Sequence, residues 1–124
     1  MPVWPSLAYV FCGGGLGAVS RYALALLVRQ LGGGGLWGTL LANALGAVLI
    51  GLLLGWELRP SVSTPYRLAL IVGFCGGLTT FSTYTSELWQ LLREARYPEA
   101  LGYALVSNLL CLALLALAFW LVRR

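Results

Sequence analysis

The chain has 124 residues, of which 60% are hydrophobic and only 10% charged, and its mean hydropathy is +0.86. A soluble domain carries about 25% charged residues, so this chain has too few to cover a globular surface, and soluble enzyme, nucleic-acid binder and disordered segment are disfavoured together. The net charge of +4 comes from arginines without any lysine, and in so apolar a chain these suit lipid headgroups at helix ends rather than nucleic acid.

The apolar residues fall into four blocks, each near the ~20 residues that cross a bilayer as a helix. The first runs over about 7–29, interrupted by Arg21. Met1 to Phe11 has no basic side chain, so a cleaved signal peptide, which needs a positive n-region, is not expected. Gly32 to Gly35 make a short flexible connection. The second block, about 37–56, is uncharged. Glu57 to Pro65, with Arg59, Pro60, Ser61 and Ser63, reads as a loop. The third block covers about 66–92, Arg93 to Pro98 make the next turn, and the fourth covers about 99–122 before Arg123 and Arg124. Trp4, Trp37, Trp56, Trp89 and Trp120 fall near span ends, as an interfacial aromatic belt does. The expectation is an all-α membrane protein, one four-helix transmembrane domain over 1–124.

Lys/Arg counts on the two sides set orientation. One side receives Arg59, Arg67, Arg123 and Arg124; the other receives Arg29, Arg93 and Arg96, with Arg21 if it snorkels that way. This balance permits insertion both ways up, and an inverted pair would have a two-fold axis in the membrane plane. Chance in a short chain is the plainer account of the same numbers.

The middle of the third block, Gly73-Phe74-Cys75-Gly76-Gly77-Leu78-Thr79-Thr80-Phe81-Ser82-Thr83-Tyr84, is unusual. Gly weakens a helix by ~1 kcal/mol relative to Ala and Thr by a few tenths. Unwound backbone at membrane depth survives only where protein buries it or it lines a water-filled cavity, and unwound carbonyls hold alkali cations. The alternative is a continuous helix with small residues for close packing; the clustering of glycines and threonines favours a break.

Asn43 in the second block is an amide in hydrocarbon and needs partners. The rows Gly38/Ala42/Gly46 and Ala47/Gly51/Gly55 suit close helix packing. In the fourth block Tyr103, Ser107 and Cys111 share one face, with Asn108 beside Ser107. Alone this row reads as interhelical hydrogen bonding; with Asn43 and the third-block hydroxyls it makes a polar track. Arg21 either snorkels to headgroups or sets a positive potential at a pore mouth. Gly13 to Ala18 fits G-x-G-x-x-A, which has meaning only between a strand and a helix; in a membrane span it is a packing surface. Cys12, Cys75 and Cys111 are expected as free thiols.

Three strings, Gly14-Gly15-Leu16-Gly17-Ala18-Val19-Ser20-Arg21-Tyr22, Gly38-Thr39-Leu40-Leu41-Ala42-Asn43-Ala44-Leu45-Gly46, and Gly73 to Tyr84, resemble the Fluc (CrcB) family of fluoride channels, in order and over essentially the whole chain. The resemblance implies a third helix broken at the midplane and an antiparallel, dual-topology homodimer with two parallel fluoride pores. It implies a structural sodium ion at the dimer centre on backbone carbonyls of Gly76 and Thr79. It maps the family's pore residues onto Asn43, Phe81, Tyr103 and Ser107, with the hydroxyls of Ser82 and Thr83 nearby, and an electropositive vestibule onto Arg21. Two positions depart. Tyr84 stands where the family usually has a second phenylalanine, so its ring is expected to supply that contact and its hydroxyl is an addition. The polar track reaches Cys111 where a hydroxyl is common.

Fluoride holds its hydration strongly, so a pore must supply substitute donors, which Asn43, Tyr103, Ser107 and the third-block hydroxyls can do; the positive edge of the Phe81 ring is a further one. The implied activity is passive fluoride exit across the cell's inner membrane, without catalysis. A proton-coupled multidrug exporter is the rival, and it needs a membrane-embedded carboxylate, typically in the first helix. That block has none, and Glu57, Glu87, Glu94 and Glu99 all sit at or near expected span ends. A non-transporting scaffold subunit is the third class, and it would pass no ion in liposomes.

Overall fold

The computed structural model describes residues 2–57 and 63–123; Arg59 and Arg124, two of the arginines in the orientation count, and most of the second loop lie outside the described residues. Four helical stretches are long and apolar enough to cross a membrane, and no strand occurs among the described residues. Helix α1 is Val3–Gln30, α2 is Gly35–Glu57, α3 covers 64–78, α4 is Phe81–Arg93 and α5 is Tyr97–Arg123. Together α3 and α4 make the third apolar stretch, Thr64–Arg93.

The helices exceed the expected spans by a few residues at most ends. Helix α1 begins at Val3 although Pro5 lies in its first turn, because the first four N–H groups of a helix have no intrahelical acceptor and a proline there costs no bond. It ends in a Schellman motif: Gly32 N–H donates to the Arg29 carbonyl at 3.0 Å and Gly33 N–H to the Val28 carbonyl at 2.8 Å. Gly32 has φ +83, the left-handed conformation that such a stop requires. Gly35, expected in the connection, already opens α2.

Helix α4 stops in the same way with a different residue. Ala95 N–H donates to the Leu92 carbonyl at 3.1 Å and Arg96 N–H to the Leu91 carbonyl at 2.9 Å, while Ala95 itself holds φ 56. Arg96 pairs with Glu94 at 3.1 Å and also with Glu99, and its hydrogen bond keeps the Glu94 carboxyl below the usual carboxylate range.

Packing rests on small residues. Helix α1 lies along α3 and α2 along α5. A Cβ at Gly13 would collide with the Ala69 carbonyl, one at Gly17 with the Phe74 carbonyl, and one at Gly77 with the Gly14 carbonyl. The G-x-G-x-x-A string is therefore a surface on which two backbones touch, as expected. The second glycine row does the same on α2, where a Cβ at Gly51 would meet the Leu115 carbonyl of α5. Lipid tails are as apolar as leucine, so close van der Waals contact between backbones, rather than hydrophobic burial, favours association here. Large apolar side chains accordingly face outward, and all five tryptophans are exposed. Cys12, Cys75 and Cys111 are free thiols.

Within α3, 67–75 winds as a π-helix, a rare form that is frequent at functional sites. A Cβ at Gly73, in that segment, would meet the Val10 carbonyl of α1 at 2.9 Å. Leu78 ends the last α-helical turn; Thr79 (φ −80, ψ 154) and Thr80 (φ −147, ψ 121) are extended, and α4 starts at Phe81.

Candidate functional site: a polar cleft at the α3–α4 junction

The two extended threonines leave backbone groups that a continuous helix would have paired, and a side chain from α2 takes them up. Asn43 Oδ1 accepts the Thr80 N–H at 2.7 Å, and Asn43 Nδ2 donates to the Thr80 carbonyl at 3.2 Å. The Thr80 hydroxyl caps α4, accepting the Thr83 N–H at 3.2 Å and donating to Thr83 Oγ1 at 3.1 Å. It also shares a 3.2 Å hydrogen bond with Ser82 Oγ. Thr79 donates both its N–H, at 3.0 Å, and its hydroxyl, at 2.9 Å, to the Cys75 carbonyl.

With the Thr80 N–H given to Asn43 and the Thr83 N–H to the Thr80 hydroxyl, the carbonyls of Gly76 and Thr79 lose the partners four residues on that a helix supplies. These two are the carbonyls the resemblance assigns to sodium. Hard, uncharged oxygens freed from helical pairing are the ligand type an alkali cation takes.

A cleft of about 320 Å³ opens beside this junction, and Asn43, Thr80, Phe81, Tyr84, Ser107 and Cys111 are among its lining residues. A second cavity of about 220 Å³ is lined by Arg21, Thr39, Thr80 and Thr83 with small and aromatic neighbours. The buried Thr80 faces both. Residues from all four apolar stretches therefore converge on one threonine.

Most of the expected site residues come together here, but not all in the expected way. Asn43 has an oxygen and a nitrogen both engaged with backbone. Phe81 projects outward, 74% exposed, with its ring centroid 5.7 Å from that of Tyr84. Ser107 is buried and its hydroxyl has no hydrogen-bond partner. Tyr103 does not line the cleft; its ring lies 5.3 Å from Tyr84 and its hydroxyl donates to Glu87 Oε2 at 2.7 Å. Gly76 is exposed and lies outside both cavities.

Glu87 lies within two turns of the end of the third apolar stretch, Thr64–Arg93, near a span end as expected; what the sequence did not show is its partners, for Thr39 of α2 donates to Oε1 at 2.8 Å and Tyr103 of α5 to Oε2. One carboxylate thus ties three helices. Thr80, Thr83 and Glu87 follow one another at intervals of three and four residues, the spacing of one helical face, and this was the available signal.

The fold and this cleft define a multi-pass membrane protein with a hydroxyl- and amide-lined polar track. Residues 8–119 match the model of the CrcB-like protein, Camphor Resistance (CrcB) family, and the chain belongs to that family. It is 44% identical over 116 residues to proteins named fluoride-specific ion channel FluC from Salmonella arizonae, Salmonella paratyphi B and Salmonella newport, an overlap of 93% of this chain and 91% of each relative.

Proposed function

We propose that this chain is a passive, fluoride-selective ion channel that lets fluoride leave the cell and so lowers its toxicity. The observation that carries the reading is the family match together with the fluoride-channel name of relatives alignable over nearly the whole chain. The donor chemistry supports it. Fluoride sheds water only where hydrogen-bond donors replace it, and the hydroxyls of Ser107 and Thr83 with the edge of Phe81 are donors of that kind, while the Ser82 hydroxyl is already paired with Thr80. Arg21, lining the cavity on the other side of Thr80, raises the local potential for an approaching anion.

The finer architecture belongs to the same proposal. The third span is broken at the membrane midplane, two copies assemble antiparallel in the cell's inner membrane, and each dimer carries two pores. The outward-facing Phe81, too exposed in one chain to enclose an ion, supports a pore completed by a second copy. A sodium ion at the dimer centre, held by the carbonyls of Gly76 and Thr79 from each copy, would neutralise the dipoles that the break leaves unpaired. Asn43 is then the residue that keeps the Thr80 peptide, and with it those carbonyls, in place.

Proton-coupled export is the competing chemistry. Glu87, the carboxylate drawn into the polar track among the described residues, is held by two donors rather than presented to a substrate, and α1 has no acidic residue. Purified protein in liposomes loaded with potassium fluoride discriminates: fluoride should leave when a potassium ionophore relieves the charge imbalance. Equal chloride release, or strict dependence on a proton gradient, overturns the proposal.

A further inference from the structure

Tyr84 replaces a phenylalanine of the resembled family, and its surroundings dictate what its hydroxyl does with its proton. The Ala104 carbonyl can only accept, and Asn108 Nδ2 donates to it at 2.7 Å. That contact places the amide nitrogen, not the oxygen, at this end of the Asn108 carboxamide. The same nitrogen donates to the Tyr84 hydroxyl at 2.9 Å. Tyr84 is therefore an acceptor towards Asn108, and its own O–H points away from it. The ring is held between Phe81 and Tyr103, with centroids at 5.7 and 5.3 Å, and the residue is 7% exposed, so the hydroxyl has little freedom to swing.

Tyr103 is in the opposite state. A carboxylate only accepts, so the Tyr103 proton is committed to Glu87. Of the two tyrosines, Tyr84 is the one with a proton to spare, and it lines the cleft while Tyr103 does not. A second, independent sign of a ligand lies in the same cleft: Ser107, 6% exposed, has a buried hydroxyl without a partner. A buried polar group without a partner is costly, and Ser107 lines the same cleft as Tyr84.

We infer that Tyr84 and Ser107 form a two-donor subsite for desolvated fluoride, with Asn108 as the positioning residue that turns the Tyr84 proton into the cleft. The inference rests on the fluoride-channel reading and deepens it: in this chain the donor tyrosine is Tyr84, and Tyr103 serves as a brace for Glu87. Fluoride is the strongest acceptor among the halides, so a pair of hydroxyl donors favours it over chloride.

The test is fluoride efflux from proteoliposomes over a range of fluoride concentrations, with size-exclusion chromatography to check assembly. Y84F keeps the ring and its packing, and should lower efflux at sub-saturating fluoride by about tenfold, the factor one charge-assisted hydrogen bond carries, while raising the half-saturating concentration. S107A should behave alike. N108L should lower efflux less, and should have no further effect in the Y84F background, because its action runs through that hydroxyl. Wild-type efflux and half-saturation in Y84F overturn the subsite; an N108L effect undiminished in Y84F overturns the positioning role. A wild-type protein that passes no fluoride overturns the channel reading itself, which separates that failure from either of these.

Discussion

Asn43 and Thr80 form a closed two-point clamp: the amide oxygen of one accepts the backbone N–H of the other at 2.7 Å while the amide nitrogen donates to its carbonyl at 3.2 Å. The junction between α3 and α4 owes its shape to this pair, because it satisfies the two backbone groups that the extended conformation of Thr80 removes from helical pairing. N43L leaves both groups unsatisfied at a cost of about 1–3 kcal/mol each. The expected result is loss of fluoride flux with a lowered thermal midpoint in detergent. Wild-type flux in N43L would show that the junction holds without its clamp.

Phe81 gives the complementary case. At 74% exposure it contributes little to the fold of one chain, so F81I, which keeps an apolar side chain but removes the ring edge, should change subunit stability by less than about 0.5 kcal/mol. Flux should nonetheless fall by an order of magnitude or more. Unchanged efflux would place the ion path away from this ring.

Two α1 glycines should respond oppositely to the same methyl group. A Cβ at Gly17 collides with the Phe74 carbonyl and comes within 2.8 Å of Leu78 N, whereas one at Gly15 meets nothing within 4 Å. G17A should force α1 from α3 and cost about 1–3 kcal/mol. G15A should be neutral or stabilising by up to about 1 kcal/mol, the ordinary helix-interior gain over glycine. Thermal unfolding followed by circular dichroism in detergent measures both; equal midpoints would mean the helices do not touch there.

Ala95 stores removable strain. Its φ of 56 is a conformation that costs an L-residue roughly 1–2 kcal/mol, partly offset by the greater unfolded-state freedom of glycine. A95G should therefore raise stability by a few tenths to about 1 kcal/mol and leave flux unchanged. A lowered midpoint would indicate that the turn differs from a Schellman stop.

Dual insertion has a genetic test. Lysines replacing Ser61 and Ser63 should drive that loop to the cytoplasm, and lysines at Gly33 and Gly34 should drive the opposite orientation. Each variant alone should fail to protect cells against fluoride, and co-expression should restore protection by pairing an up copy with a down copy. Protection by either alone, with its single orientation confirmed by cysteine labelling, would rule out the antiparallel dimer.

Local chemistry made much of this protein legible in advance. Hydropathy over ~20 residues depends only on which residues are adjacent, so the four apolar stretches and the outward tryptophans follow from the chain itself, as do the family strings and the backbone contact at Gly13 and Gly17. Hydrogen-bond ownership does not. That Tyr103 gives its proton to Glu87 while Tyr84 keeps its own depends on which side chains of α2, α4 and α5 meet across helix boundaries. That Glu87 accepts from both Thr39 and Tyr103 depends equally on how those helices meet. The identity of each polar residue is in the sequence; which of its protons remains free is decided only when three helices close around it, because a donor's role is set by its neighbour's lone pairs.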